Sequence, residues 1–330
     1  MTADRDKQMP DKFSTELLFS MKRIRAVEET IAARYPEWKM RCPVHLCTGQ
    51  EAVAAGVSSV LRPDDFVVST HRSHGHYLAK GGNLKRMLAE IYGKETGCSA
   101  GRGGSMHLID EAAGFMGSTS IVGGTIPVGT GLGFSIKYHG ATRISCVYLG
   151  DGAVEEGVFY ESLNFAALMN LPVLYICENN LYSVYSPLAV RQPAGRNICQ
   201  MVNAIGVKSC HGNGNDVVEV NALAASAAES VRAGNGPFFI EFETYRWREH
   251  CGPNFDNDIG YRTEAEYQNW KEKDPVLQFE QKLIKDEVLT TQDIEKMQNL
   301  ITSEIEEAFS YAESSPFPES YLAGNNIYAE

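Results

Sequence analysis

The chain has 330 residues, of which 43% are hydrophobic, and a formal net charge of −12. That balance excludes a protein that holds nucleic acid or an anionic membrane through its overall field, so an anionic ligand would need a local positive site. No apolar run reaches the length of a membrane span, and the eight cysteines lack CxxC spacing, which predicts free thiols in a reducing, cytoplasmic setting.

Residues 1–12 are polar and charged, without the apolar stretch of a signal peptide, and read as a flexible tail ahead of one domain over 13–330. Leu17, Leu18, Met21, Ile24, Val27 and Ile31 recur at helical spacing and predict an amphipathic helix over 13–35. A second helix runs from Glu51 to Leu61 and closes at Arg62-Pro63-Asp64-Asp65. Phe66 to Val68 is a short strand with His71 and Arg72 at its tip, and Leu84 to Tyr92 is helical. Residues 97–127 are rich in glycine, serine and histidine with little periodicity, and an irregular stretch of that length inside a compact domain is usually functional.

Gly124 to His139 reads as a buried helix whose Gly129, Gly131 and Gly133 permit close packing; no strand precedes it, so it is not a dinucleotide loop. The runs Ile144–Leu149 and Val173–Cys177 are apolar and of strand length. Val207–Cys210 and Pro237–Thr244 add strands around a helix over 216–233 with Asp216 as its N-cap. Residues 246–263 form a polar loop, and helices over 275–288 and 291–313 end the chain. The alternation predicts an α/β fold, one mostly parallel sheet covered by helices on both faces.

Gly150-Asp151-Gly152 follows the first of the two apolar runs and Asn179-Asn180 ends the second. Two buried strands joined by a helix bring both tips to one sheet edge, where open α/β sheets bind ligands. One tip then offers a carboxylate and the other a carboxamide, hard oxygen donors suited to Mg²⁺ beside a phosphate. A helix starting near Glu155 offers free N–H groups to the same anion.

Together with His45-Leu46-Cys47-Thr48-Gly49-Gln50-Glu51, His71-Arg72-Ser73-His74-Gly75, Gly101-Arg102-Gly103-Gly104-Ser105-Met106-His107, Ile121-Val122-Gly123 and Tyr245-Arg246, this pattern resembles the alpha subunit of the thiamine diphosphate-dependent, decarboxylating component of 2-oxo acid dehydrogenases, of pyruvate or acetoin type. The resemblance runs from about Phe13 to about Tyr321. It implies thiamine diphosphate and Mg²⁺ as cofactors, with Asp151, Asn180 and the backbone carbonyl of Tyr182 on the metal. It implies that Gly152 and Ala153 lie against the diphosphate, that Arg72 grips it, and that the main chain of Val122 meets the aminopyrimidine, with Ser120 beside it. His45, His74 and His250 match the catalytic histidines, His250 also near the cofactor. Arg248, Arg102 and His107 are further contacts to consider.

Three positions depart from the pattern. His71 stands where tyrosine is usual before the arginine, and Ser120 where glycine is commoner. Cys251 replaces the first regulatory serine of the mitochondrial enzymes, and no serine lies between His250 and Arg262, so kinase control is not expected at this loop. Asp256 and Asp258 are expected to hold the loop by accepting backbone N–H bonds.

The glutamate that activates the cofactor comes, in such enzymes, from a separate beta subunit, so the expected assembly is two alpha and two beta chains, with a lipoyl acyltransferase core as a further partner. The implied activity is decarboxylation of a pyruvate-like 2-oxo acid, or cleavage of an acyloin such as acetoin, with transfer of the acyl unit. The alternatives are acyl transfer to an aldehyde or keto-sugar without a lipoyl acceptor, and a non-catalytic homologue that stabilises a partner.

Overall fold

A computed structural model describes residues 11–324 of the chain. Most of the expected tail lies outside those residues, but Asp11 and Lys12 already belong to the first helix, because Asp11 opens it with an acidic first turn. In chain order the elements are α1 (Asp11–Arg34), α2 (Glu51–Ser58), β1 (Phe66–Ser69), α3 (His74–Ala79), α4 (Leu84–Ile91), β2 (Phe115–Ser118) and α5 (Thr125–Tyr138). Then come β3 (Ser145–Gly150), α6 (Gly157–Leu168), β4 (Val173–Asn179), the two-residue strands β5 (Tyr182–Ser183) and β6 (Ser186–Pro187), α7 (Leu188–Arg191), α8 (Ile198–Ile205) and β7 (Lys208–Asn213). The remainder is α9 (Val217–Arg232), β8 (Phe238–Glu243), α10 (Glu264–Lys271), α11 (Pro275–Lys285) and α12 (Thr291–Ser314).

Six strands form one sheet in the order β2-β1-β3-β4-β8-β7, and every pairing is parallel. Helices cover both faces, as the alternation predicts. The alternation of side chains along each strand divides the core in two. Cys146, Tyr148, Leu174 and Ile176 join α1, α2, α4, α9 and α12 on one face, whereas Val147, Leu149, Val173 and Tyr175 join α5, α6 and α8 on the other. β3 and β4 are apolar on both sides for that reason. Among the described residues no helix is long and apolar enough to cross a membrane.

Helix α5 departs from the expected fully buried state. Ile126, Gly129, Thr130, Gly133 and Ile136 face the sheet, while Val128, Phe134 and Tyr138 are exposed. A Cβ on Gly129 would come within 2.3 Å of Val147 Cγ2, and one on Gly133 within 2.3 Å of Val173 Cγ2, so these glycines seat the helix directly on β3 and β4. The irregular stretch 97–127 contains β2, an edge strand of four residues that carries no periodic signal. Asp216 does cap α9, accepting from the backbone N–H of Val218 and Glu219.

Candidate active site

Because β1, β3, β4 and β8 run parallel, their C-terminal ends open at one edge of the sheet. β1 delivers His71 and Arg72 there, β3 delivers Asp151, β4 delivers Asn180, and the segment after β8 delivers His250. The loop before α2 brings His45 to the same place. These residues, with Ser120, Val122, Gly152, Ala153 and Tyr182, line one cleft.

On one wall Asp151 is buried, and one of its carboxylate oxygens is ion-paired with Arg191 of α7. Burial pushes its carboxyl group above the ordinary range, and the Arg191 guanidinium works against that rise. Arg191 also donates to Glu155 Oε1 at 2.5 Å, so the same guanidinium bridges two carboxylates. Asn180 donates through Nδ2 to Gln50 Oε1 at 3.3 Å, and its Oδ1 accepts from the Tyr182 backbone N–H at 3.3 Å. The Tyr182 hydroxyl is committed to Glu266 at 2.8 Å, which leaves the backbone as the part of this residue open to a ligand role.

On the other wall Arg72 is 5% exposed and donates to the backbone carbonyls of Leu46 (2.6 Å) and His250 (3.1 Å). Among the described residues no carboxylate ion-pairs with it. Burial, with the charge of Arg246 adding to it, pulls its guanidinium down to about 10. This is the local positive site that an acidic chain needs in order to hold an anion. His45, His71 and His250 surround it, with ring centroids 4.7 to 5.3 Å apart. Burial, followed by the charge of Arg72, lowers His45 to about 2 and His71 and His250 to about 3, so all three rings are neutral at physiological pH.

The fold places other expected residues elsewhere. His74 does not line the cleft: it is fully buried at the start of α3, with Nδ1 2.6 Å from Glu28 Oε1 and Nε2 2.8 Å from Ser105 Oγ. Arg248 pairs with Glu29 and donates to the Pro253 carbonyl, away from the cleft wall, and Arg102 is exposed outside it. His107 is also exposed; its Nε2 accepts from the Ser120 backbone N–H at 3.5 Å, so its link to the cleft is indirect. Asp256 holds its loop through side chains rather than backbone N–H groups, accepting from Arg262 and, at 2.7 Å, from the Tyr261 hydroxyl. Asp258 is exposed.

The residues present fit Mg²⁺ with thiamine diphosphate. Asp151, Asn180 and Tyr182 offer a carboxylate, a carboxamide and a backbone carbonyl on one wall, an all-oxygen set of the kind a hard cation takes. Arg72 lines the same cleft as a cation with no carboxylate ion pair among the described residues, and Val122, Ile126 and Leu149 add apolar surface to it. In this structure the cation on Asp151 is the Arg191 guanidinium.

Three lining residues, Gln50, Glu178 and Ser183, and the Asp151 partner Arg191 escape sequence reasoning as site residues. Gln50 lies inside a quoted motif but signals only a helix start, and Glu178 precedes Asn179-Asn180 without a distinctive spacing. Ser183 approaches Gly152, where a Cβ would stand 2.7 Å from its Oγ. Gly152 is therefore needed for contact with β5 as well as for any ligand. Arg191 carries no local signal, since its role depends on a pairing across 40 residues.

Residues 19–320 match the family described as dehydrogenase E1 component. The chain is 36% identical over 305 residues to the pyruvate dehydrogenase E1 component subunit alpha of Rickettsia bellii, covering 92% of each chain. It is 37% identical over 305 residues to the Rickettsia felis protein of that name, again with 92% coverage of each. The chloroplastic pyruvate dehydrogenase E1 component subunit alpha-3 of Arabidopsis thaliana is 34% identical over 312 residues, which span 93% of this chain and 72% of the plant protein.

Proposed function

The chain belongs to the dehydrogenase E1 component family, and from that membership we infer how its cleft is used. It is the alpha subunit of a thiamine diphosphate-dependent oxidoreductase component that decarboxylates a 2-oxo acid, acting on a small molecule together with a beta subunit. The observation that carries the residue assignment is the meeting of an oxygen-donor wall at Asp151 and Asn180 with a cationic, histidine-lined wall at Arg72.

In this reading Asp151, Asn180 and the Tyr182 carbonyl hold Mg²⁺, and Arg191 shifts its charge onto Glu155 when the metal takes Asp151. Gly152 and Ala153 present backbone to the diphosphate, which Arg72 grips through a fork that can form two parallel bonds. Ser120 and the Val122 main chain border the aminopyrimidine. When bound, thiamine diphosphate supplies the carbon nucleophile and the electron sink for decarboxylation. The chain's own histidines stay uncharged. His250 and His45 can donate from a ring nitrogen toward negative charge as it develops, and His71 offers a third donor to the diphosphate end. His74 supports the site from behind through Glu28.

Two carboxylates line the cleft. Asp151 is assigned to the metal and Glu178 lies 3.2 Å from His76 Nε2, so the carboxylate that activates the cofactor is assigned to the beta subunit. The exposed apolar residues Val128, Phe134 and Tyr138 on α5 and Phe165 and Leu168 on α6 support a subunit contact on that face, as expected for two alpha and two beta chains. Acyl transfer to a lipoyl acyltransferase core is the favoured outcome, and eight free thiols, four of them buried, fit a reducing cytoplasm. A non-catalytic role is disfavoured by the presence of Asp151, Asn180, Arg72 and His250 together.

The test is co-expression with the beta subunit and assay of 2-oxo acids and acyloins with an artificial electron acceptor. Turnover is expected from the pair and not from the alpha chain alone. Asp151→Ala should abolish Mg²⁺-dependent thiamine diphosphate binding by calorimetry, and unchanged affinity would overturn the metal assignment.

A further inference from the structure

We propose that His45, His71 and His250 form a binding site for a transition-metal dication of the zinc class, separate from the oxygen set at Asp151. Their ligand nitrogens lie within 4.8 Å of one another, and the rings stand at 61° to 82° to each other, so the nitrogens enclose one small volume. No described residue hydrogen-bonds to any of the three rings, and His45 Nδ1 is buried without a partner in a residue 6% exposed. A bare buried nitrogen is costly, and a metal ion would satisfy it.

A tetrahedral zinc with Zn–N bonds of about 2.0–2.1 Å sets its ligands about 3.3 Å apart, so the widest present spacing needs to close by only about 1.5 Å. An all-nitrogen set favours zinc, cobalt, nickel or copper over magnesium, the reverse of the preference at Asp151. The charges facing the cluster are Arg72 and Arg246, and both oppose a cation. The open fourth position resolves this: an anion there, such as hydroxide, carboxylate or phosphate, offsets the excess charge. His71 completes the set, since a tyrosine at that position would leave two imidazoles. The site rests on these three rings alone, and an ion there would occupy nitrogens that the proposed function uses as donors, so it is a property of the chain without thiamine diphosphate.

The full chain, purified with any subunit that accompanies it and stripped with chelator, is titrated with Co²⁺ and then Zn²⁺ in saturating Mg²⁺. One Co²⁺ per chain is expected, with the intense visible absorption of a four-coordinate ion, bleached by Zn²⁺. His71→Tyr and His250→Ala should each remove that absorption and weaken Zn²⁺ by about 100-fold, at least what loss of an outer-shell partner can cost. Asp151→Ala should retain both. A six-coordinate cobalt spectrum in the unmodified chain, or wild-type Zn²⁺ affinity in His71→Tyr, overturns the proposal. Thermal melts establish which variants fold; the cobalt spectrum of the unmodified chain decides the matter if neither does.

Discussion

Two sets of buried or half-buried histidines, joined in sequence only where His71 precedes His74, have opposite surroundings. His74 and His76 are buried and each ring meets both a carboxylate and a hydroxyl: His74 has Glu28 and Ser105, and His76 has Glu178 and Ser69. His45, His71 and His250 face an arginine, and their rings find no hydrogen-bond partner among the described residues. A histidine with both nitrogens occupied is a strut, because any proton it gives or takes breaks a bond that holds the fold. One with bare nitrogens and a neighbouring cation is free to act on something that enters from outside. The two residues between His71 and His74 make the difference, since His74 opens α3 and turns back into the core.

The sharpest way to break this contrast is to remove one ring from each set. His250→Ala should lower turnover of the assembled enzyme by about 100-fold or more, the scale of a positioned acid–base or electrostatic group. Its melting temperature should stay near that of the parent, because no bond within the chain is lost from the ring. Wild-type turnover at saturating cofactor would reduce His250 to a structural part. His74→Ala should do the reverse, costing about 2–3 kcal/mol of stability by stranding Glu28 and Ser105 in the interior. Denaturant titration measures that loss, and a wild-type midpoint would show that His74 is not a strut.

A smaller effect separates the sets by pH. The unpartnered rings take up protons only near pH 2–3 in the fold, whereas a histidine in the unfolded chain does so near 6.5. The unfolded state therefore binds more protons in that window. The contribution of these rings is fully present above about pH 6.5 and is lost progressively as the pH falls toward 3. Denaturation between pH 7.5 and 5, with chelator present, should show a shallower loss of stability in His71→Gln than in the parent. Equal slopes would mean that the ring is not held neutral.

Much of this architecture is legible in the residues. β3 and β4 are continuous apolar runs because helices bury them from both sides, and α1 shows its stripe from Leu17 to Ile31 because one face packs and the other is wet. The motifs also place Asp151, Asn180, Arg72 and three of the four predicted histidine ligands or acids on one cleft. What fails to show has a physical cause. β2 is four residues at the sheet edge, and α10 buries only Tyr267 and Trp270, too few for a period. Arg191 and Gln50 gain their roles from partners distant in sequence, Asp151 and Asn180, that no local pattern announces. His74 looks like its neighbour His71 in sequence, and only the start of a helix tells them apart.

The smallest expected effect concerns the loop behind His250, where two acidic residues that look alike have different surroundings. Asp256 is 4% exposed and accepts from Arg262 and Tyr261, and Arg262 in turn donates to the backbone carbonyls of Arg246 (2.8 Å) and Trp247 (2.9 Å). Asp256 therefore helps to fix the segment that carries His250, through an arginine that ties the two ends of the loop. Asp258 is exposed and makes no ion pair among the described residues. Asp256→Asn keeps a carbonyl for one donor but loses the charge that balances Arg262. It should loosen the loop and speed cofactor release, with a lesser effect on turnover at saturating cofactor. Asp258→Asn should change stability by less than about 0.5 kcal/mol, as surface substitutions usually do. Cofactor dissociation rates on the two variants decide between them: faster release from Asp258→Asn than from Asp256→Asn would show that the exposed residue, and not the buried one, holds the loop.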